Sequence, residues 1–247
     1  NKFSLHTIFT GNPGTGKTTV ARIMGKIFKA LGILERGHTV EVDRESLVAG
    51  FIGQTAIKTQ QKIDEALGGV LFIDEAYALA EGGSGNDFGK EAIEVILKRM
   101  EDLRGQFVVF AAGYTDNMNV FLTSNPGLNS RFDKKLHFED YTPEEMMKIA
   151  LHYFSKEELT VTQEAKNHLM IYFTDIHKNR DKFFGNARTV RQTISEAVKN
   201  QHLRMAKIAA SLRNEQDIHS LLLEDVAEFS YQGNSLKRTV GFRLGGN

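Results

Sequence analysis

Short apolar runs alternate with stretches of helical period along the first 140 residues of the chain. Leu5–Thr10, Thr39–Val42, Gly69–Ile73, Phe107–Ala112 and Lys135–Phe138 read as strands, and Thr18–Leu31, Thr55–Leu67 and Gly89–Leu103 read as helices between the first four. Strands alternating with helices predict an α/β domain on a parallel five-stranded sheet flanked by helices on both faces. After "FEDYTPEEM" the predicted strands stop. Thr142 is placed to cap a helix, with Pro143 in the first turn and Glu145 positioned to close a capping box. Helical stretches follow near 143–154, 163–175 and 187–209. The expected organisation is therefore an α/β domain over 1–141, a C-terminal helical domain over 142–235, and a glycine-rich, mobile tail over 236–247. No internal repeat or low-complexity linker interrupts it.

Composition narrows the function classes. With 41% hydrophobic and 25% charged residues over 247 positions, the chain has the make-up of a folded globular protein. Lys plus Arg equals Asp plus Glu at 31 each, so no net field exists to hold a nucleic-acid duplex or an anionic membrane, and a polyanion site must be local. The absence of cysteine excludes disulfides, a thiol nucleophile and a cysteine metal site. The eight histidines lack ligand spacing. No apolar run reaches the length of a bilayer span, and the opening "NKFSLHTIFTG" has no leader-like pattern. A cytoplasmic protein without membrane contact is expected, and a chain that opens almost on a strand reads as a piece of a longer one.

The strongest chemical signal is "GNPGTGKT", Gly11–Thr18, which fits G-x-x-x-x-G-K-[ST] between a predicted strand and a predicted helix. Glycines let Asn12, Pro13, Gly14, Thr15 and Gly16 bring backbone close to phosphate oxygens, and amides at a helix start point toward anions with the positive end of the dipole. Lys17 is the candidate cation for the β- and γ-phosphates, the Thr18 hydroxyl a magnesium ligand, and Thr19 completes the binding run. The second signal is "GGVLFIDEA", an apolar strand ending in Asp74 and Glu75. Ligands sit at the carboxyl ends of parallel strands, so both acids emerge beside the phosphate loop if this strand neighbours the first. Asp74 then serves the magnesium shell, and Glu75 polarises the attacking water.

"FTGNPGTGKTTVA", "GGVLFIDEAYAL", "AGYTDNM" and "SNPGLNSRF" together resemble the AAA+ ATPases, and within them the group that contains red-type rubisco activase and the stage V sporulation protein K-like proteins. The resemblance covers nearly all of residues 3–230. It implies ATP and magnesium as cofactors, a C-terminal helical lid domain, and a homo-oligomeric ring, a hexamer, that remodels or threads a protein client. It places Arg131 as an arginine finger reaching a neighbouring subunit's γ-phosphate. Arg188, in "GNARTVRQT", matches the second sensor on the helical domain, with Arg191 as the fallback. Where many relatives carry a polar first-sensor residue, this chain reads "AAGYTDN". Tyr114 is favoured, with Thr115, Asp116 and Asn117 open. The segment that supplies part of the adenine pocket in relatives is missing ahead of the first strand, which predicts weak nucleotide binding by residues 1–247 alone.

The resemblance also accounts for "LVAGFIGQTA". Phe51, Ile52 and Gly53 fall where relatives hold an aromatic–aliphatic–glycine triplet on a pore loop that grips polypeptide, and "EGGSGND" at 81–87 falls at a second pore loop. The alternative is that Phe51 simply packs into the core. Two further functional readings compete: a nucleotide-dependent assembly module with little turnover, and a DNA-acting loader. The presence of Glu75 and Arg131 speaks against the first. Neutral composition and Phe51 speak against the second, although the basic residues along 187–209 keep it open.

Overall fold

The computed structural model describes residues 5–51, 53–81 and 88–231; Ile52, most of the second predicted pore loop and the predicted tail lie outside the described residues. Contacts divide the chain into two units. The first comprises the residues up to Tyr141 together with Asp181–Thr189, and the second Thr142–Arg180 with the residues from Val190 onward.

The first unit runs β1 (Thr7–Thr10), α1 (Lys17–Ala30), β2 (Thr39–Val42), α2 (Arg44–Leu47), α3 (Gln54–Glu65), β3 (Val70–Ile73), a 3₁₀ turn at Ala76–Leu79, α4 (Phe88–Asp102), β4 (Val108–Gly113), α5 (Thr115–Thr123), α6 (Pro126–Arg131) and β5 (Lys134–His137). The five strands form a wholly parallel sheet in the order β2-β3-β4-β1-β5. The predicted sheet is present, with β1 starting two residues later than expected. The condition that β3 neighbours β1 is not met, because β4 lies between them. Strands β3 and β4 are buried along their whole length, which is why they read as continuous apolar runs rather than alternating ones. Ile8, Leu71, Ile73, Val109 and Ala111 enter one core, and Phe9, Phe72, Val108, Phe110 and Ala112 enter another with Ala21 and Phe28 of α1. The edge strand β5, with two lysines among its four residues, is exposed throughout. Helices α2, α5 and α6 escaped the periodic reading because each is short. The start of α6 was nevertheless written locally, since Asn125 caps Gly127 N–H at 2.8 Å and Pro126 occupies the first turn.

The second unit contains α7 (Pro143–Lys156), β6 (Thr160–Val161), α8 (Gln163–Lys178), most of α9 (Ala187–Lys207), a 3₁₀ turn at Ala210–Leu212, α10 (Glu215–Ile218), β7 (Ser220–Leu221) and α11 (Leu223–Val226). The Thr142–Glu145 capping box forms as expected. The strands do not stop altogether, however, since β6 and β7 pair in parallel. Two residues cannot display a two-residue period, so the sequence pattern is silent there. Arg204 holds the buried Asp225 with bonds of 2.9 and 3.1 Å, and its Nη2 also donates to Ser220 O at 2.8 Å.

His6, half-buried just before β1, accepts the Val109 N–H on Nδ1 at 2.9 Å and packs against the rings of Phe107 and Phe132. Burial holds its imidazole down at about 4; Asp133 pulls the other way, while Arg131 and Lys134 push further down. The folded chain therefore prefers the neutral ring, and the unfolded chain binds the extra proton between pH 6.5 and about 4. Stability is fully present above that window and declines by up to about 3 kcal/mol as pH falls through it. Denaturant titrations across this range are expected to flatten by that amount in His6→Asn, whose amide oxygen can still accept the Val109 N–H. An unchanged slope would remove His6 as the source.

Candidate active site

The phosphate loop joins β1 to α1, and its shape is set by close backbone approaches. Gly11 has φ 139° and Gly14 φ 72°, values that favour glycine. A Cβ on Gly11 would lie 2.3 Å from Phe138 O, and one on Gly14 2.1 Å from Gly185 O. Thr15 Oγ1 donates to Asn12 O at 2.9 Å. Lys17, the first residue of α1, turns back over the loop and donates from Nζ to Gly11 O at 2.9 Å and Asn12 O at 2.8 Å. Burial lowers the proton affinity of Lys17. Arg188 acts in the same direction, while Asp74, Asp140 and Glu75 oppose both. Thr18 is half-buried and Thr19 exposed.

Asp74 and Glu75 leave the carboxyl end of β3 exposed to solvent. The Asp74 carboxylate accepts Glu75 N–H at 3.0 Å. Glu75 has φ 47°, an uncommon conformation for a non-glycine residue, and its carbonyl accepts Ala78 N–H to open the 3₁₀ turn. Although β4 separates β3 from β1, the charges of both acids still act on Lys17. The intervening strand ends at Gly113, and the next residue, Tyr114, stands at the N-cap position of α5 and meets the rings of Tyr77 at 6.1 Å and Phe183 at 5.8 Å. Burial, reinforced by the charge of Glu75, pushes the Tyr77 hydroxyl up to about 12. A cavity of about 540 Å³ opens at these strand ends, and all four first-sensor candidates, Tyr114, Thr115, Asp116 and Asn117, line it together with Gly11 and Asn12.

Arg188 is exposed, and its charge reaches Lys17. The resemblance puts this arginine on the helical domain, yet Asp181–Thr189 groups with the first unit, so α9 begins in one unit and continues into the other. Arg191, exposed, belongs to the second unit. Arg131 has a different neighbourhood. It ends α6, its guanidinium lies 3.3 Å from Glu101, and its charge acts on His6.

Phe51 is 72% exposed, so the alternative of core packing does not hold for it. Its carbonyl accepts Gln54 N–H at 3.3 Å, and Gly53, at φ 79°, leads into α3.

Asn186, Asp140 and Tyr141 form a polar cluster behind the phosphate loop that sequence reasoning missed. Asn186 Nδ2 donates to Asp140 Oδ1 at 2.8 Å, and Asn12 Nδ2 reaches the same carboxylate at 3.0 and 3.2 Å. The sole local hint was an asparagine two residues ahead of Arg188 in "GNAR".

Residues 7–140 match the model of the ATPase family associated with various cellular activities (AAA), and residues 142–235 that of the AAA lid domain. The chain is 45% identical over 205 residues to stage V sporulation protein K of Bacillus subtilis, covering 83% of this chain but 63% of that protein. It is 42% identical over 222 residues to the chloroplastic ribulose bisphosphate carboxylase/oxygenase activase of Cyanidioschyzon merolae, covering 90% of this chain and 75% of that protein. Among solved structures, the FIGL-1 AAA domain in complex with ADP aligns with a TM-score of 0.61 at 18% identity, over 92% of this chain and 71% of the other, a likeness of fold.

Proposed function

The chain belongs to the ATPase family associated with various cellular activities, and from that footing we propose that it is a magnesium-dependent ATP hydrolase. Its copies assemble as a hexameric ring that pulls on or remodels a protein client in the cytoplasm. The observation that carries this reading is the surroundings of Lys17: a half-buried ammonium in a glycine-shaped loop, facing the charges of Asp74, Glu75 and Arg188.

These residues fit Mg-ATP. A half-buried cation at the start of a helix suits a polyphosphate, and a threonine hydroxyl with a carboxylate as its protein ligands suits magnesium, which keeps most of its shell for water and phosphate oxygens. Among the described residues no cluster of three or more acidic or histidine side chains could hold a metal alone. Bound Mg-ATP supplies the phosphoryl group that passes to water and the negative charge on which the side chains act. Lys17 exchanges its bonds to Gly11 and Asn12 carbonyls for phosphate oxygens. Thr18 and Asp74 hold the magnesium. Glu75 accepts a hydrogen bond from the attacking water and takes up its proton. Arg188 offers a second cation from the same unit, and Tyr114 stands at the end of the strand between Lys17 and Glu75 to sense the γ-phosphate. Arg131 acts on a neighbouring copy.

Client engagement is assigned to Phe51, with Ile52 and Gly53, because an exposed aromatic between two glycines is costly in water and useful against an extended polypeptide. No described helix is long and apolar enough to cross a membrane. The test pairs two measurements on Phe51→Ala. Thermal unfolding is expected to shift by no more than about 0.5 kcal/mol, as for other exposed positions. Capture of fluorescein-labelled casein by ATP-loaded rings, and its stimulation of turnover, are expected to be lost. A destabilisation of roughly 3–5 kcal/mol, the cost of emptying a core phenylalanine site, would overturn the assignment, as would undiminished casein capture. Salt-sensitive binding of DNA in place of casein would favour the loader.

A further inference from the structure

Asn186 is fully buried, at 0% exposure, with φ 48°. An asparagine tolerates the left-handed region better than most residues with a Cβ, but burying its amide is costly unless every polar atom is satisfied. Here they are. Nδ2 donates to Asp140 Oδ1 at 2.8 Å, Phe184 O at 3.1 Å and Pro13 O at 3.2 Å, and Oδ1 accepts Tyr141 N–H at 2.8 Å. Neighbouring bonds continue the pattern onto the loop. Gly14 O accepts Ala187 N–H at 3.2 Å, and Thr15 O accepts the Tyr141 hydroxyl at 3.2 Å. With Asn12 tied to Asp140, four consecutive residues of the phosphate loop are fastened to the strip 140–141 or 186–187.

The fastened groups on Pro13, Gly14 and Thr15 are carbonyls, and this determines what the loop can bind. In a trans peptide the N–H points away from the C=O of the same plane, and no peptide bond in the described chain is cis. Holding the carbonyls of Pro13, Gly14 and Thr15 toward the strip therefore turns the N–H groups of Gly14, Thr15 and Gly16 to the opposite side. The 2.1 Å that a Gly14 Cβ would leave to Gly185 O shows how tightly the two backbones interlock.

We propose that Asn186, supported by Asp140 and Tyr141, is a positioning residue that orients three successive phosphate-loop amides for nucleotide phosphates. The proposal rests on the nucleotide-binding reading above. Asn186 touches no nucleotide in it; it acts through the peptide planes of the loop. Because 186 also sits one residue ahead of α9, the same bond set joins the loop to the start of the helix that carries Arg188.

The experiment is titration of N-methylanthraniloyl-ADP into the protein in its full natural length, beside circular dichroism at the same temperature. Lys17→Ala serves as the control for loss of the phosphate site. Asn186→Gly keeps the left-handed backbone and removes the amide. Asn186→Asp keeps the shape but cannot donate to Pro13 O and sets a second carboxylate against Asp140. Both are expected to weaken binding on the order of tenfold to a hundredfold in folded protein, the scale at which displaced groups act through others. Should either fail to fold, Tyr141→Phe, which removes the hydroxyl that donates to Thr15 O, is expected to weaken binding by roughly three- to tenfold, about the value of one hydrogen bond. Folded Asn186→Gly binding as wild type overturns the proposal, whatever its melting temperature, and so does Tyr141→Phe binding as wild type if the Asn186 variants unfold. Wild type binding no better than Lys17→Ala overturns the nucleotide reading itself, and the positioning role with it.

Discussion

Glu75→Gln is expected to bind ATP normally and to hydrolyse it on the order of a hundredfold to ten-thousandfold more slowly, the range associated with loss of a general base. Glutamine keeps the length of the side chain and can still orient a water molecule, but it cannot take up the proton that the water must lose. The backbone gives no reason for the variant to unfold, since both residues bear the same load at φ 47° and position 75 is exposed. Equilibrium binding of ATP together with single-turnover hydrolysis separates the two effects. A variant that turns over at the wild-type rate would take the base away from Glu75. One that fails to bind would show that the carboxylate supports the site electrostatically through Lys17, on which its charge acts.

Arg131→Ala is expected to lose roughly a thousandfold to a hundred-thousandfold of turnover in assembled rings while nucleotide binding stays intact, the range known for a cation supplied at the transferring phosphoryl group. Within one chain the guanidinium lies 3.3 Å from Glu101, with the arginine side chain 28% exposed and the glutamate 47% exposed. An ion pair with a partner that open to solvent contributes little to stability, so giving up Glu101 is no bar to reaching a neighbour's γ-phosphate. Arg131→Lys is expected to recover little, because a point charge does not reproduce the guanidinium fork. Rings mixed from Arg131→Ala and Lys17→Ala copies are expected to regain turnover at interfaces that combine an intact finger with an intact loop. Absence of rescue in verified mixed rings would count against action in trans, and a large fall in melting temperature would assign Arg131 to the packing around His6 instead.

What the sequence made legible follows from how local each signal is. Strands β3 and β4 announce themselves because they are buried on both faces and thus apolar at every position. The phosphate loop is equally legible because its glycines and Lys17 lie within one short motif. Strand order is not written that way. The periodic pattern predicts five parallel strands but says nothing about which are adjacent, so the place of β4 between β1 and β3 had to come from the structure. Asn186 was illegible for the same reason in sharper form, since its bond to Pro13 spans 173 residues and no period marks a lone buried asparagine. Phe51 is an intermediate case. Its flanking glycines were visible, but only its exposure removes the alternative of a core turn.

Position 75 also carries a conformational cost. A side chain in the left-handed region gives up roughly 1–2 kcal/mol that glycine would retain. Glu75→Gly is therefore expected to relieve that strain and, on the proposed role of Glu75, to leave no acid that takes a proton from water. The strain thus sits at the residue proposed as the base, the kind of position where stability and activity pull apart.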